Sequence, residues 1–399
     1  MNHLNNYKEL FRKEYLFVYF IYFWVFFAIG ALDQQIPLFF TSTKNGSVVY
    51  GFFLSVLSIA NIVMPTISAL LSGKFGSKQV TVFYFAFSAL VAGILFFLSN
   101  TLLIAVLFLL INMSQIIFNF SLGSAICLAI DNKAKARFFA VRDVFLYGAI
   151  ALGLMLSGVL VKHYDVKNII AMYALFLLIP CFMLILGKNR FVHGKAKEED
   201  EKEEKGWKGI KKAFLNRNFV LMLIVYSCLS IYSAVYAYVP FLAIQVGLDY
   251  AEVLNSFAVV TMINVVVALF LSHLADATNK KTFFLIDVGF DMLPIMIFMN
   301  TTNNYLFVVA LVLTAVKDVF APITFAYKYE LFEEDGQLLI SLLESLMGIF
   351  TFVLPIIIGI LWRQIGKQVF GIAFVAVLVA TFVACFLPNS SSQAKEELQ

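Results

Sequence analysis

Asp33, Asp287, Asp291, Lys317, Asp318 and Glu344 are ionisable side chains inside long apolar runs. An ion in hydrocarbon is costly and is kept only where it has a partner or a task. Asp33 stands in GALDQQIPLFF, followed by Gln34, Gln35 and Pro37. A carboxyl group there can exchange a proton or attract a cationic solute. The alternative is an acid near an aqueous mouth, hydrated or capping a kinked helix. Lys317 lies roughly 15 Å along its run and Asp291 roughly 13 Å along its own, so the two can meet at one depth. The spacing offers a structural ion pair of Lys317 with Asp291 or Asp287. It also offers a lysine that holds a substrate carboxylate or alternates between acids. Asp318 and Glu344 are further coupling carboxylates, with packing against Ser, Asn or helix ends as the alternative. Asn112, Gln115 and Asn119 on one run, and Tyr226, Tyr232 and Tyr236 on another, are neutral candidates for contacting a solute. Aromatic rings bind apolar or cationic groups, although a tyrosine-rich helix also serves packing.

Nothing in the sequence suggests catalysis. There is no nucleophile–base arrangement and no GxxxxGK[ST] phosphate loop. His3, His163, His193 and His273 lie in tails or loops without metal-ligand spacing. Cys127, Cys181, Cys228 and Cys385 sit singly in apolar runs and read as buried thiols. Neither a metal nor a cofactor is expected.

The elements that must carry these groups are membrane helices. Of 399 residues, 61% are hydrophobic and 14% charged, far too few charges for a water-facing surface of this length. About 20 apolar residues cross a bilayer. That rule predicts an all-α integral membrane protein with twelve spans, at 15–41, 47–72, 79–99, 101–129, 138–162, 168–187, 218–246, 250–275, 282–300, 303–327, 337–363 and 367–387. The first run is too long for a signal peptide and stays as a span. Of the 29 Lys and Arg, 23 fall on one set of loops and tails and 5 on the other. Both termini are therefore expected in the cytoplasm. The +4 net charge is spread between spans and forms no nucleic-acid stripe.

The longest loop falls mid-chain and mixes both charge signs, which suits a solvated linker. Three regions follow: a six-helix half at 1–187, a linker at 188–217, and a six-helix half at 218–399 with a short tail. Within the linker, Trp207, Ile210, Phe214 and Leu215 oppose Lys208, Lys211 and Lys212 at helical spacing, as in a helix lying on the inner leaflet.

An internal repeat supports the division. ALLSGKFGSKQVTVF follows the second span and SHLADATNKKTFF the eighth, with Gly76 aligned on Asn279. These loops resemble the signature of the major facilitator superfamily, a small residue and an acidic–basic run between spans two and three with a weaker copy between spans eight and nine. Lys74, Gly76 and Lys78 match in the first copy, where Gly73 replaces the acid. Asp276, Lys280 and Lys281 match in the second. The resemblance implies twelve helices in two six-helix halves, the major facilitator fold, with these loops as latches between conformations. In the fifth span, ALGLMLSGVL is similar to the glycine-rich motif of drug–proton antiporters. Gly153 and Gly158 match and imply close helix packing, whereas Leu154 replaces the usual proline. The fourth span lacks the arginine such exchangers carry.

These readings point to a secondary transporter in a plasma membrane, bacterial by its short loops, and monomeric. The leading expectation is export of small amphiphilic or cationic solutes by proton antiport with alternating access. A zwitterionic or carboxylate-bearing metabolite, such as a metal-chelating compound, is a second reading. A non-transporting receptor or scaffold is the third, although no segment outside the spans approaches domain size.

Overall fold

The computed structural model describes residues 13–129, 132–186, 214–271, 280–318, 324, 327–328, 331–332 and 336–388. Among the described residues the regular structure is helical, with no strand. The first half contains α1 (Lys13–Asp33), α2 (Gln35–Thr41), α3 (Gly46–Phe75), α4 (Ser77–Phe97), α5 (Thr101–Ala129), α6 (Asn132–Leu160) and α7 (Val166–Leu186). The second contains α8 (Arg217–Tyr236), α9 (Val239–Gln245), α10 (Tyr250–Leu271), α11 (Lys280–Phe290), α12 (Met292–Asn300), α13 (Asn304–Asp318), α14 (Gly336–Ile365) and α15 (Val369–Ala384).

Nine stretches among the described residues are long and apolar enough to cross a bilayer, and the last of these, Leu342–Ala384, is interrupted by a turn at Gly366–Gln368. Gly366 turns the chain there with φ +56°, a backbone state that suits a residue without Cβ. That stretch holds two crossings, and the shorter apolar helices Tyr250–Val266 and Asn304–Lys317 complete the twelve. The chain is a multi-pass all-α membrane protein.

Three spans expected as continuous helices are interrupted. The first breaks at Gln34, the seventh at Ala237–Tyr238 and the ninth at Asp291. Each break precedes a proline by a few residues: Pro37, Pro240 and Pro294. Proline cannot donate to the carbonyl four residues back, which is Asp33, Tyr236 or Phe290. Proline alone does not decide the outcome, because Pro65, Pro180 and Pro355 lie inside helices that run on. Pro240 follows Pro37 by 203 residues, the same offset that relates Asn279 to Gly76. The broken first span is thus repeated at the start of the second half.

The chain forms two compact units. The first comprises residues up to Thr43, Ile59–Glu198 and Asp249–Val265; the second comprises Lys44–Ser58, Glu199–Leu248 and Val266 onward. In the first unit α1 packs along α6 and α7, and α4 along α7 and α5. Backbone meets backbone where α1 crosses α6: a Cβ on Gly153 would strike the Phe27 carbonyl, and one on Gly30 would lie 2.5 Å from the Ile150 carbonyl. Ser157 Oγ donates to the Ala31 carbonyl at 2.6 Å. Trp24 and Phe27 pack on Phe176, with ring centroids 5.8 and 5.0 Å away. The start of α10 joins this unit, where Gly158 meets the Asn255 amide and Thr41 lies 3.2 Å from the Tyr250 hydroxyl.

In the second unit α8 packs on α15 and α14. Phe219, Met222, Val225, Phe284, Tyr327 and Ala380 are among the residues of its buried core. The first turns of α3 join this unit. Tyr238 Oη donates toward the carbonyls of Ser47 (3.0 Å) and Pro355 (3.1 Å), and Ser47 Oγ donates to the Gly359 carbonyl at 3.2 Å. Exposed apolar side chains, among them Phe97, Leu186, Leu102 and Phe382, form the lipid-facing surface. Of the inner-leaflet helix expected around Trp207, only Phe214 and Leu215 are described; both are helical and exposed.

Small-to-large changes at the α1–α6 crossing test this packing. Gly153→Val should cost about 1–3 kcal/mol through overpacking and lower the thermal midpoint of the purified protein. Gly148→Ala, in the same helix but with nothing near its added Cβ, should leave the midpoint equal or raised. Differential scanning fluorimetry reads both.

Candidate functional site

In the first unit the break after Asp33 places a carboxyl group at the frayed end of α1. Asp33 and Gln34 are half-buried, while Gln35 is fully buried with neither amide atom hydrogen-bonded. The hydroxyls of Tyr84 on α4 and Tyr173 on α7 adjoin one another and feel the Asp33 charge. Both are buried without hydrogen-bond geometry to any described group, as is Ser88, one turn beyond Tyr84. Unpaired buried hydroxyls are costly, so this pocket of the fold suits an ion, a water or a polar solute group. No lysine or arginine among the described residues pairs with Asp33. The cations placed among the spans are engaged elsewhere: Lys317 with Asp287 and Asp291, Lys328 with Glu344, and Arg142 with Asp143.

In the second unit the break between α11 and α12 presents Asp291, fully buried, toward α13. Lys317 Nζ lies 3.5 Å from Asp291 Oδ2 and 4.0 Å from Asp287 Oδ1. Asp287 Oδ2 accepts a 2.7 Å hydrogen bond from Thr324 Oγ1. Lys317 also lies over the Tyr232 ring, 5.8 Å from its centroid, a favourable contact for an ammonium. A second pair stands nearby. Lys328 is 5% exposed and donates to Glu344 Oε1 at 2.9 Å, whose side chain is 59% exposed. Tyr226 lies beneath Lys328, 5.8 Å from centroid to Nζ, and is within electrostatic reach of both Asp287 and Glu344.

The remaining candidates are dispersed. Asn112 turns back on its own helix, donating to the Phe108 carbonyl at 2.9 Å. Gln115 and Asn119 are half-buried on α5. Tyr236 neighbours Tyr232 and Phe298. Asp318 ends α13, and its side chain lies outside the described residues, as does Asp276. In the first loop Gly76 adopts φ +85° immediately before α4, a left-handed state that suits glycine. Lys74 lies over Phe75. Lys78 and Lys280 border α4 and α11, and Lys281 donates to the Cys385 carbonyl at 3.3 Å. Among the described residues no group of His, Cys, Asp and Glu is arranged to hold a metal.

A family profile described as Major Facilitator Superfamily matches residues 117–299. Solved structures of like architecture include a nucleoside transporter, NupG, in a mutant form (14% identity, 93% of this chain and 99% of that one, TM-score 0.71). Another is the E. coli xylose transporter XylE in an inward-open conformation (10% identity, 94% and 97%, TM-score 0.67). A further structure of NupG is also similar (12% identity, 94% and 98%, TM-score 0.65). The chain has the major facilitator fold. No curated protein matches the sequence. At these identities the likeness concerns the fold alone.

A sequence offset pairs positions of the two polar clusters. At the 203-residue offset set by Pro37 and Pro240, Asp33 corresponds to Tyr236, Tyr84 to Asp287 and Ser88 to Asp291. In the first unit the acid comes from the broken span and the hydroxyls from α4. In the second the aromatic hydroxyls come from the broken span and the acids from α11 and its break. Sequence reasoning missed Lys328, assigning it to a loop, because the apolar run ends at its doorstep. It also missed Tyr84 and Tyr173, whose signal is a lone phenol in each of two apolar helices.

The Lys328–Glu344 pair is asymmetric, and its variants should be too. Removing Glu344 takes from a buried ammonium an acid to which it donates, whereas removing Lys328 frees an acid that already meets solvent. Glu344→Ala should destabilise by on the order of 2 kcal/mol. Lys328→Met should cost far less, and the double variant should recover most of the loss. Equal losses in both single variants, measured by thermal midpoint, would contradict this assignment.

Proposed function

We propose that this protein is a proton-coupled secondary transporter that exports small amphiphilic or cationic solutes by antiport. The observation that carries the reading is Asp33, a carboxyl group inside a span, at a helix break, among aromatic hydroxyls and without a described cation beside it. A negative site of this kind accepts either a proton or a solute cation, and mutual exclusion of the two is the basis of exchange. Tyr84 and Tyr173 supply neutral donors and ring edges around it. In this reading residues 1–187 and 218–399 are the two bodies that alternate, and 188–217 joins them. The loop residues Lys74, Gly76, Lys78, Asp276, Lys280 and Lys281 act as latches. Gln34, Asn112, Gln115, Asn119, Tyr232 and Tyr236 contribute solute contacts. The bias of Lys and Arg supports cytoplasmic termini in a bacterial plasma membrane, and the protein acts as a monomer.

A carboxylate-bearing or zwitterionic solute is the second reading, favoured by the presence of Lys317. That cation is already flanked by two acids, so the cationic reading stands first. The nucleoside and xylose transporters of like fold make a neutral polar solute a further outcome of the same experiment.

Proteoliposomes holding an internal pH dye and challenged with the lipophilic cation ethidium provide the test. The wild type should move protons against the cation. Asp33→Asn should lose this movement by at least tenfold while remaining monodisperse, and Asp33→Glu should retain part of it. Ethidium affinity should fall as pH is lowered, by at most about tenfold per pH unit for one competing proton. Undiminished coupling in Asp33→Asn would remove its assigned role. Silence toward cations, with uptake of an anionic or neutral metabolite, would replace the cationic reading.

A further inference from the structure

The helix break in the first unit adjoins more hydrogen-bond donors than a bare cation can use. Tyr84, Tyr173 and Ser88 are buried, at 1%, 1% and 0% exposure, and none of their hydroxyls has a hydrogen-bond partner. A hydroxyl taken out of water without a partner forfeits the hydrogen bonds it made there. Most buried polar groups in folded proteins are satisfied, so a cluster of unpaired donors points to a ligand that supplies an acceptor. Asp33 keeps some exposure and is the member of the cluster that a solute meets.

Helix geometry brings these groups together. The first and sixth spans, α1 and α7, cross the membrane in opposite directions, and Phe27 meets Phe176 with ring centroids 5.0 Å apart. From that contact Asp33 lies six residues on along α1, about 9 Å, and Tyr173 three residues back along α7, about 4.5 Å the same way. The remaining gap of about 4.5 Å is within the reach of a tyrosine side chain. Tyr84 joins from α4, which packs along α7, and the two phenols feel the Asp33 charge and each other. Ser88 follows Tyr84 by four residues, on the same face of α4. The Tyr84 ring stacks on Phe118 at 4.9 Å, and Phe118 packs in turn on Phe85 and Tyr22. Its hydroxyl is therefore held in place before a solute arrives.

We propose that this cluster selects cations that carry an oxygen acceptor beside the charge, amino alcohols and their N-alkyl derivatives as a class. The cationic nitrogen pairs with the Asp33 carboxylate. The oxygen accepts from the hydroxyls of Tyr84 and Tyr173, with Ser88 one turn away; no covalent bond is made or broken. Asp33 serves here as the cation site of the antiport reading, on which this selectivity rests. What is added is the second group of the solute. A cation without an oxygen leaves the buried donors unpaired, and a site built around such donors rejects the analogue that cannot satisfy them. Aromatic walls alone would give the opposite order, because apolar burial favours the more apolar of two cations.

Choline and propyltrimethylammonium differ in one group, a hydroxyl in place of a methyl, and so isolate the oxygen. Isothermal titration calorimetry on the full-length protein in lipid nanodiscs reads both affinities without transport. Choline should bind tighter by about tenfold or more. In the Tyr84→Phe/Tyr173→Phe double variant the ratio of affinities should fall to about one or invert. A defect of folding alone would weaken both cations and leave their ratio. Ser88→Ala should lower the ratio in part. Should the double variant not fold, either single phenylalanine variant makes the same comparison and should lower the ratio several-fold. Equal affinities in the wild type, absence of choline binding, or a preference that survives loss of both phenols overturns the assignment. The ethidium exchange assay keeps the two readings apart. Proton exchange without a choline preference leaves antiport standing and removes the amino-alcohol site. A choline preference without proton exchange keeps the site and removes the coupling.

Discussion

Hydrocarbon contains no water to solvate an ion or to complete a broken helix, so every polar group carried into the membrane must find its complement inside the protein. The described spans meet that demand in three ways. Lys328 is paired with an acid, Glu344, which reaches toward solvent. Lys317 has two, both buried. Asp33 has no lysine or arginine paired with it among the described residues, and the buried phenols of Tyr84 and Tyr173 are within its electrostatic reach. In the proposed antiport, a proton or a solute cation satisfies the carboxyl group of Asp33.

The helix breaks obey the same constraint. A proline frees a carbonyl, and within a bilayer that carbonyl needs another donor. The spans broken at Gln34, Ala237–Tyr238 and Asp291 carry polar residues at the interruption, among them Asp33, Gln34, Gln35, Tyr236, Tyr238 and Asp291. Spans whose prolines sit among apolar neighbours, such as Pro180 in IPCFM, continue as helices. Discontinuous helices at mid-membrane are the usual sites of ion and substrate contact in transporters. Asp33 lies beside one such break and Asp291 at another.

Close backbone approach holds these pockets in place. Gly30 and Gly153 let α1 lie on α6 so tightly that Ser157 reaches the Ala31 carbonyl, two residues before Asp33. Gly51 and Gly359 do the same between the start of α3 and α14, with Tyr238 donating into the joint. Without a hydrophobic drive between helices in lipid, such contacts and hydrogen bonds set the rotation of each helix. That rotation determines whether an aspartate faces lipid, a partner or a pocket.

The number of spans, their approximate limits and the residues that carry charge into the membrane were all legible in the sequence. Hydropathy and composition are local properties, and the bilayer imposes one length on every crossing. The candidate acids Asp33, Asp287, Asp291 and Glu344 were visible for the same reason, since an ion in an apolar run stands out wherever the chain folds. Partnership was not legible. Nothing local to Lys328 marks it as buried beneath Glu344, or joins Tyr84 and Tyr173 to Asp33 across three helices. The interruption of the ninth span at Asp291 likewise needed the fold. Those relations depend on helix rotation and on which helices touch, and only tertiary packing decides both.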